Sequence, residues 1–423
     1  MVAKSSGPNE TTVLRPWASL LYHDYRWLFT ASLFVTTAQH MRQTQNFYQV
    51  YELSGSAFQL GLTGLAQGIP LVAVGLFGGT LVDFLDRRKL LLLTIAGNFL
   101  VAVMLGILTL TGVIRVWHIL LGTALTSGLN IILNPTRMAM ISTLVPRTHL
   151  TNAASLNSSA SQSSHFVGPM LAGLSLTWMT TGNAYLCNAL FYIPAVAGIL
   201  WMKTAGASAR RLETFSMLSF LGGLRFVFSQ PIVFIMVMLD FVITGVGYYR
   251  PLLPIFAKDI LSIGPAGFGA LASAPAVGGI IGTFFVLSAG DIRYKGLLAL
   301  AAFFSYGIGL GLFALSRHFV LSLFLLGVLG LANSTQAVMR QTTFHLLTPD
   351  HLRGRAFAVF NMFSQGANSV GATEVGFMAT LIGAPGSLLV GCAVALTVSL
   401  GCWATLPGLR KFGTEETKPE APT

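Results

Sequence analysis

The chain is 423 residues long, 53% hydrophobic and only 9% charged, with a formal net charge of +11; an ordinary soluble domain carries about 25% charged residues. That balance excludes a water-soluble fold. The basic excess lies in short loops between apolar runs rather than in one nucleic-acid-binding patch, so no nucleic-acid partner is expected.

Residues 1–26 are polar, with Lys4, Glu10, Arg15, Asp24 and Arg26, and lack the short apolar core and cleavage site of a removable signal peptide. Apolar runs of about 20 residues follow, the length that a roughly 30 Å hydrocarbon layer demands of a helix. They predict spans at 27–50, 58–82, 89–112, 116–144, 152–178 and 182–202. After a linker at 203–230, further spans are predicted at 231–257, 265–289, 294–315, 318–345, 355–381 and 384–407. The runs are continuous rather than alternating every second residue, which favours helices over barrel strands. The expected fold is an all-α membrane protein of twelve transmembrane helices, in six-helix bundles over 27–202 and 231–408, with a disordered tail at 409–423.

Span 1 is polar for a membrane helix: Gln39, His40, Arg42, Gln43, Gln45 and Asn46 crowd one stretch, and Gln39, Gln43 and Asn46 share a face. After span 2, Gly79 permits close helix approach, Asp83 can accept hydrogen bonds from an adjacent helix N-terminus, and Arg87 and Arg88 can form salt bridges across a seam between halves. A solvated basic loop is the plainer reading of that segment. Span 4 contributes Asn130, Asn134 and Arg137. Span 5 holds Gln162, His165 and the run from Gly168 and Pro169 to Gly173, which suits a bent, closely packed helix. The linker is polar over 203–216, and the stretch from Leu218 to Val227 around Arg225 has the pattern of an amphipathic helix at the membrane surface.

Span 7 carries Asp240, Tyr248, Tyr249 and Arg250, and the loop after span 8 is a reduced copy of the earlier one, with Asp291 as its acid. Span 10 holds Asn333, Gln336, Arg340 and Gln341; span 11 holds Gln365, Asn368 and Glu374. Of the 14 acidic residues only Asp240 and Glu374 fall within spans, where ionisable groups are costly and mark function. Either could load and release a proton as its surroundings alternate, with structural pairing as the alternative; His40 is a third relay candidate. Arg137 and Arg340 are expected to face the loop acids of their own halves, Asp83 and Asp291, as two gates. Arg42 and Arg250 are candidates for an anionic substrate, and the amides and tyrosines named above either line a cavity with them or bond helix to helix.

With an even number of spans, 18 of the 25 Lys and Arg fall on the side that carries both termini, which the positive-inside rule places in the cytoplasm. Ten residues also recur at one offset of 203, among them Asn130/Asn333, Arg137/Arg340, Pro146/Pro349, Gln162/Gln365, Gly168/Gly371 and Gly173/Gly376. An offset covering six helices implies two halves inserted in the same direction, with a cavity between them.

The segment from Gly79 to Lys89 resembles the loop motif of the major facilitator superfamily. The chain is more narrowly similar to its bacterial exporter branch, which includes enterobactin exporters and transmembrane secretion effectors. Tyr51 to Ser56, Pro146-Arg147, Gly168-Pro169 and the run from Pro349 to Arg355 carry that likeness across residues 20–408. Gly168 to Gly173 resembles the superfamily's antiporter motif, although Ala372 replaces Pro169 in the second copy. The resemblance implies a monomeric secondary transporter of the bacterial inner membrane working by alternating access, exporting a small organic molecule in exchange for protons. A lysophospholipid or amphiphile flippase is the alternative, and a membrane-embedded enzyme a remote one. The three dispersed cysteines and eight scattered histidines give no metal-site spacing, and no cofactor is expected beyond the proton-motive force.

Overall fold

The structure, a computed structural model, describes residues 17–84, 86–203, 217–290, 292, 294–349 and 352–408, with backbone alone at 75–84, 147, 217–221, 353 and 355. Among these residues every regular element is helical, so each segment satisfies its own backbone groups, as hydrocarbon requires. The first seven helices are α1 (His23–Ser54), α2 (Ala57–Phe84), α3 (Arg87–Leu110), α4 (Val116–Leu144), α5 (Leu150–Trp178), α6 (Thr181–Leu190) and α7 (Tyr192–Trp201). Beyond the linker come α8 (Met217–Ser229), α9 (Pro231–Gly247), the short α10 (Leu253–Ile255), α11 (Gly264–Ser288), α12 (Lys295–Leu315), α13 (Phe319–Leu347) and α14 (Arg353–Thr405).

Local chemistry sets several ends. Gly55 stops α1 in the left-handed conformation at φ 60°, a geometry that side chains with a Cβ resist. Asp86 caps α3, its carboxylate accepting from the amides of Arg88 at 2.8 Å and Lys89 at 3.2 Å. Asp86 stands immediately before the first helical turn; the side chain of Asp83, expected to accept from an adjacent helix N-terminus, lies outside the described residues. Within α14, Gly383 at φ 76° and ψ 163° breaks the helical path just before Pro385, so the spans expected at 355–381 and 384–407 meet at a kink rather than a loop.

Nine helices among the described residues are long and apolar enough to cross a membrane. Those covering the expected spans 1 and 5 fall outside that set because of their polar content; α1 buries Arg42, Gln45, Asn46 and Gln49 among its neighbours. The bounds of α4 and α13 keep the 203-residue offset at both ends, as do the first residues of α5 and α14.

Helices α1, α4, α5, α6 and α7 pack on one another, α3 lies against α4, α6 and α7, and α2 against α4. Likewise α13 packs on α11 and α12, while α14 covers α8, α9 and α12. Two seams, α2 on α14 and α5 on α11, join the groups. Both rest on glycines: a Cβ on Gly173 would sit 2.6 Å from the Gly269 Cα, and one on Gly61 3.0 Å from the Gly376 Cα. Without side chains there, backbones approach closely, the usual route to helix association in lipid. The tight contacts lie toward the end bearing the turns at 55–56, 179–180 and 261–263, termed the far end. Toward the opposite end, which carries residues 22, 203 and 408, Asn134, Asn333 and Gln365 are exposed. Helix α8 is amphipathic as expected, yet Phe226 and Val227 bury against Val233, Val237 and Phe344 rather than facing lipid, leaving Arg225 exposed.

Candidate functional site

The embedded charges of the second group meet. Asp240, from the middle of α9, forms a buried salt bridge with Arg340 of α13; the two side chains are 6% and 8% exposed. Around them, the Ser364 hydroxyl on α14 donates to the Asp240 carboxylate at 3.2 Å and accepts from Arg340 at 3.3 Å. The Gln336 amide donates to Asp240 at 3.3 Å and to Asn333 at 3.1 Å. The Arg340 guanidinium also lies over the Phe360 ring, 4.9 Å from its centroid. Three helices thus converge on one carboxylate.

This corrects the expected pairing of Arg340 with Asp291. Arg340 sits about two turns inside α13, level with Asp240, and a buried guanidinium takes the carboxylate at its own depth; Asp291 lies outside the described residues. Among the described residues the first group shows no equivalent pair, and the position 203 residues before Asp240 is Thr37, bonded to Ser164 at 3.0 Å. Arg137 donates to Asn134 at 3.3 Å; the side chain of Asp83, its expected partner, and the packing around Gly79 lie outside the described residues. Among the described residues the partners of Arg87 and Arg88 lie within their own group of helices rather than across the seam. Arg87 donates to the Ala139 carbonyl of α4 at 3.3 Å, and Arg88 to the carbonyls of Ile199 and Leu200 at 3.2 and 2.7 Å. The last turn of α7 leaves those carbonyls without helical partners, and a cation suits that end of the helix dipole.

In α1 the polar stretch divides. Arg42 donates to Thr126 at 2.6 Å and Asn98 at 3.4 Å, and Asn46 bonds Thr123 at 3.0 Å and accepts from Tyr185 at 2.9 Å. Both are buried at 4% exposure, so these two expected cavity residues are enclosed among helices. Gln39 donates to Asn130 at 2.6 Å. His40 and Gln43 point the other way, into a small recess of about 20 Å³ between the two groups, shared with Thr44, Phe47, Pro169, Arg250, Leu253, Phe268 and Ala272. His165 of α5 stacks on His40 with ring centroids 3.7 Å apart. Gly168 makes this contact: a Cβ there would lie 2.7 Å from the His40 Cβ. Its repeat partner Gly371 does the same for α9, where a Cβ would meet the Tyr248 Cβ at 2.7 Å.

Helix α9 ends at Gly247, and the chain continues through Tyr248 and Tyr249 into a 3-10 turn at Arg250–Leu252 and a π turn at Phe256–Ile260. Pro251 and Pro254 remove two amide donors there. This break swings Arg250 into the recess, while Tyr249 is buried edge-on to Phe313 at 6.3 Å. Gln162 faces Gly279 across the α5 and α11 seam, and Asn368 bonds Gln365 at 3.4 Å on the open side. Glu374 stands apart, on a stripe of α14 with the exposed Val370, Phe377 and Leu381. Sequence reasoning missed Ser364, Thr126, Asn98 and Phe360 as partners. Small hydroxyls and amides in apolar helices carry no signal of their own until the charge that they serve is placed. At the far end, the Tyr51 hydroxyl donates to Asp259, joining the end of α1 to the π turn.

The model of transmembrane secretion effectors matches residues 14–421. The chain belongs to that family of major facilitator exporters. It is 25% identical to the multidrug efflux pump Tap of Mycolicibacterium fortuitum over 79% of this chain and 84% of that one. Its identity to the staphyloferrin A transporter of Staphylococcus aureus is 22%, over 85% and 90%, and to the enterobactin exporter EntS of Shigella boydii 24%, over 79% and 80%. In fold it is similar to the crystal structure of the nucleoside transporter NupG, with a TM-score of 0.72 at 13% identity over 91% of this chain and 99% of that one. A bacterial homolog of the human lysosomal transporter Spinster, inward-facing and unoccupied, superimposes with a TM-score of 0.71 at 13% identity over 92% and 98%. The chain is a multi-pass membrane transporter and not an enzyme.

Proposed function

We propose that this chain is a proton-coupled exporter of a small organic molecule in the bacterial inner membrane, with both termini cytoplasmic. In this reading it makes twelve crossings in two parallel halves, 27–202 and 231–408, flanked by the segments 1–26, 203–230 and 409–423. To the nine apolar helices are added α1 and α5, and α14 counts twice across its break at Gly383. The shared bounds of α4 and α13 support the two-half arrangement. The terminal end is then the cytoplasmic one, and the chain is open inward.

The observation that carries the coupling is the buried Asp240–Arg340 pair, present in one half and replaced by Thr37 without an acid in the other. Breaking a buried pair by neutralising one member leaves an uncompensated charge, a change of about 3–5 kcal/mol, large enough to drive a transition between two packings. Arriving from the far side, a proton on Asp240 would release Arg340 and Ser364. Its departure toward the cytoplasm would restore the pairing found in the inward-open form. Such a cycle moves protons in as substrate moves out. Reconstituted in liposomes with an imposed pH gradient, the wild type should move at least one of ethidium, citrate or a catecholate, and Asp240→Asn should exchange that solute without responding to the gradient. A gradient response that survives Asp240→Asn would falsify the proposal.

A further inference from the structure

The recess between the two groups of helices holds a set of cationic and donor groups that the Asp240 network does not use. From the first group come His40 and Gln43 of α1, with His165 of α5 stacked on His40 at 3.7 Å. From the second comes Arg250, delivered by the break after α9. Among the described residues no carboxylate forms an ion pair with Arg250, and neither histidine ring has a hydrogen-bond partner. A guanidinium inside the membrane without a counter-anion is costly, and tyrosines with apolar side chains, its surroundings here, cannot neutralise it. The remaining lining, Phe47, Leu253, Phe268 and Ala272, forms an apolar wall.

We propose that His40, Gln43 and Arg250, with His165 stacked on His40 and holding its ring in place, form a seat for an anionic oxygen group, the carboxylate of a soluble organic acid, on the transported molecule. The guanidinium fork takes two carboxylate oxygens side by side, and the His40 imidazole N–H and the Gln43 amide supply donors from the opposite wall. The recess encloses only about 20 Å³, room for the oxygens of one anionic group rather than for a molecule whole, the remainder lying toward the open end. The seat spans the seam. When the α5 and α11 contact at Gly173 and Gly269 parts, Arg250 leaves the histidines, and the anion loses its donors from one wall as the far end opens. The inference rests on the exporter reading and names its substrate class.

The test is binding, so that it stands apart from the coupling experiment. Full-length protein in phosphatidylcholine nanodiscs is titrated with citrate, and with tetraphenylphosphonium as a cationic control, by thermal shift. Citrate should stabilise the wild type, with affinity lowered at least tenfold in Arg250→Gln, less in Arg250→Lys, and lowered in His165→Gln; the cation should not share this dependence. Because Arg250→Gln could misfold, its monodispersity and its melting point without ligand are compared first, and His165→Gln provides a second arm independent of Arg250. If citrate has no effect but adding phosphatidylglycerol gives an Arg250-dependent stabilisation, the seat stands as an anion site and its assignment to a soluble acid is overturned. No Arg250-dependent response to either anion, or an equal response to the cation, overturns the seat itself.

Discussion

At the scale of single residues, the chemistry concentrates where two embedded charges found each other. Asp240 and Arg340 are enclosed with Ser364 and Gln336, so each is a liability alone. Arg340→Leu should lower the melting temperature sharply, because the Asp240 carboxylate is left buried without its counter-charge, a loss of about 3–5 kcal/mol. The uncharged pair Asp240→Asn with Arg340→Gln should recover most of it. Thermal unfolding in nanodiscs checks both, and a double variant no more stable than Arg340→Leu would show that the pair contributes nothing beyond packing. Glu374 makes the opposite case. Glu374 is half-buried beside the exposed Val370, Phe377 and Leu381, with one carboxylate oxygen enclosed and unpartnered, but it stands outside the Asp240 network, so Glu374→Gln should leave gradient-driven transport within about twofold of wild type. A loss comparable to that of Asp240→Asn would bring Glu374 into the proton path.

At the scale of helices, the repeat proves to be a packing rule. Gly168 and Gly371 do the same work in different places, bringing α5 onto α1 and α14 onto α9; Gly173 and Gly376 close the two seams. Gly371→Val should therefore cost several kcal/mol, since its side chain must displace backbone at Thr244 as well as Tyr248. Movement along the α2 and α14 seam is testable with cysteines: a Cβ on Gly68 would lie 3.0 Å from that of Ser369, near disulfide range. With Cys187, Cys392 and Cys402 replaced, oxidising Gly68→Cys with Ser369→Cys should arrest transport, and reductant should restore it. Transport that continues through the crosslinked seam would mean that the halves do not part there.

These helices were legible because apolar length reports directly on a bilayer, and α4 falls on its predicted bounds of 116–144. The boundary expected between 381 and 384 falls where α14 breaks at Gly383, although the tight kink that stands there in place of a loop leaves no mark in hydropathy. The partner of Arg340 was misassigned for a related reason. Spacing along the chain says which residues share a helix, but the meeting of α9 with α13 depends on how helices far apart in sequence pack. The scarcity of embedded charge was the usable signal: with two acids and four arginines inside spans, an intramembrane partner for Arg340 was the economical choice over a loop acid. Arg42 shows the limit of that signal, for hydroxyl and amide groups, and no acid, receive it.

At the scale of the molecule, two helical groups meet tightly at the far end through glycine seams and the Tyr51–Asp259 hydrogen bond, and expose Asn134, Asn333 and Gln365 toward the end carrying residues 22, 203 and 408. The proposed proton site, Asp240, lies within one group and the proposed anion seat between both. A proton on Asp240 would therefore act by loosening one group internally, while the anion acts on the seam, and each biases the same rearrangement without sharing a residue. The direct measurement is the far-end distance between spin labels on Thr177→Cys and Ala266→Cys, both exposed, recorded across pH with and without Asp240→Asn. Lowering the pH should shift the otherwise unaltered protein from short to long distances, and Asp240→Asn should hold the long population at every pH. Distances that ignore pH in the first case, or that still follow it in the second, would contradict proton coupling through Asp240.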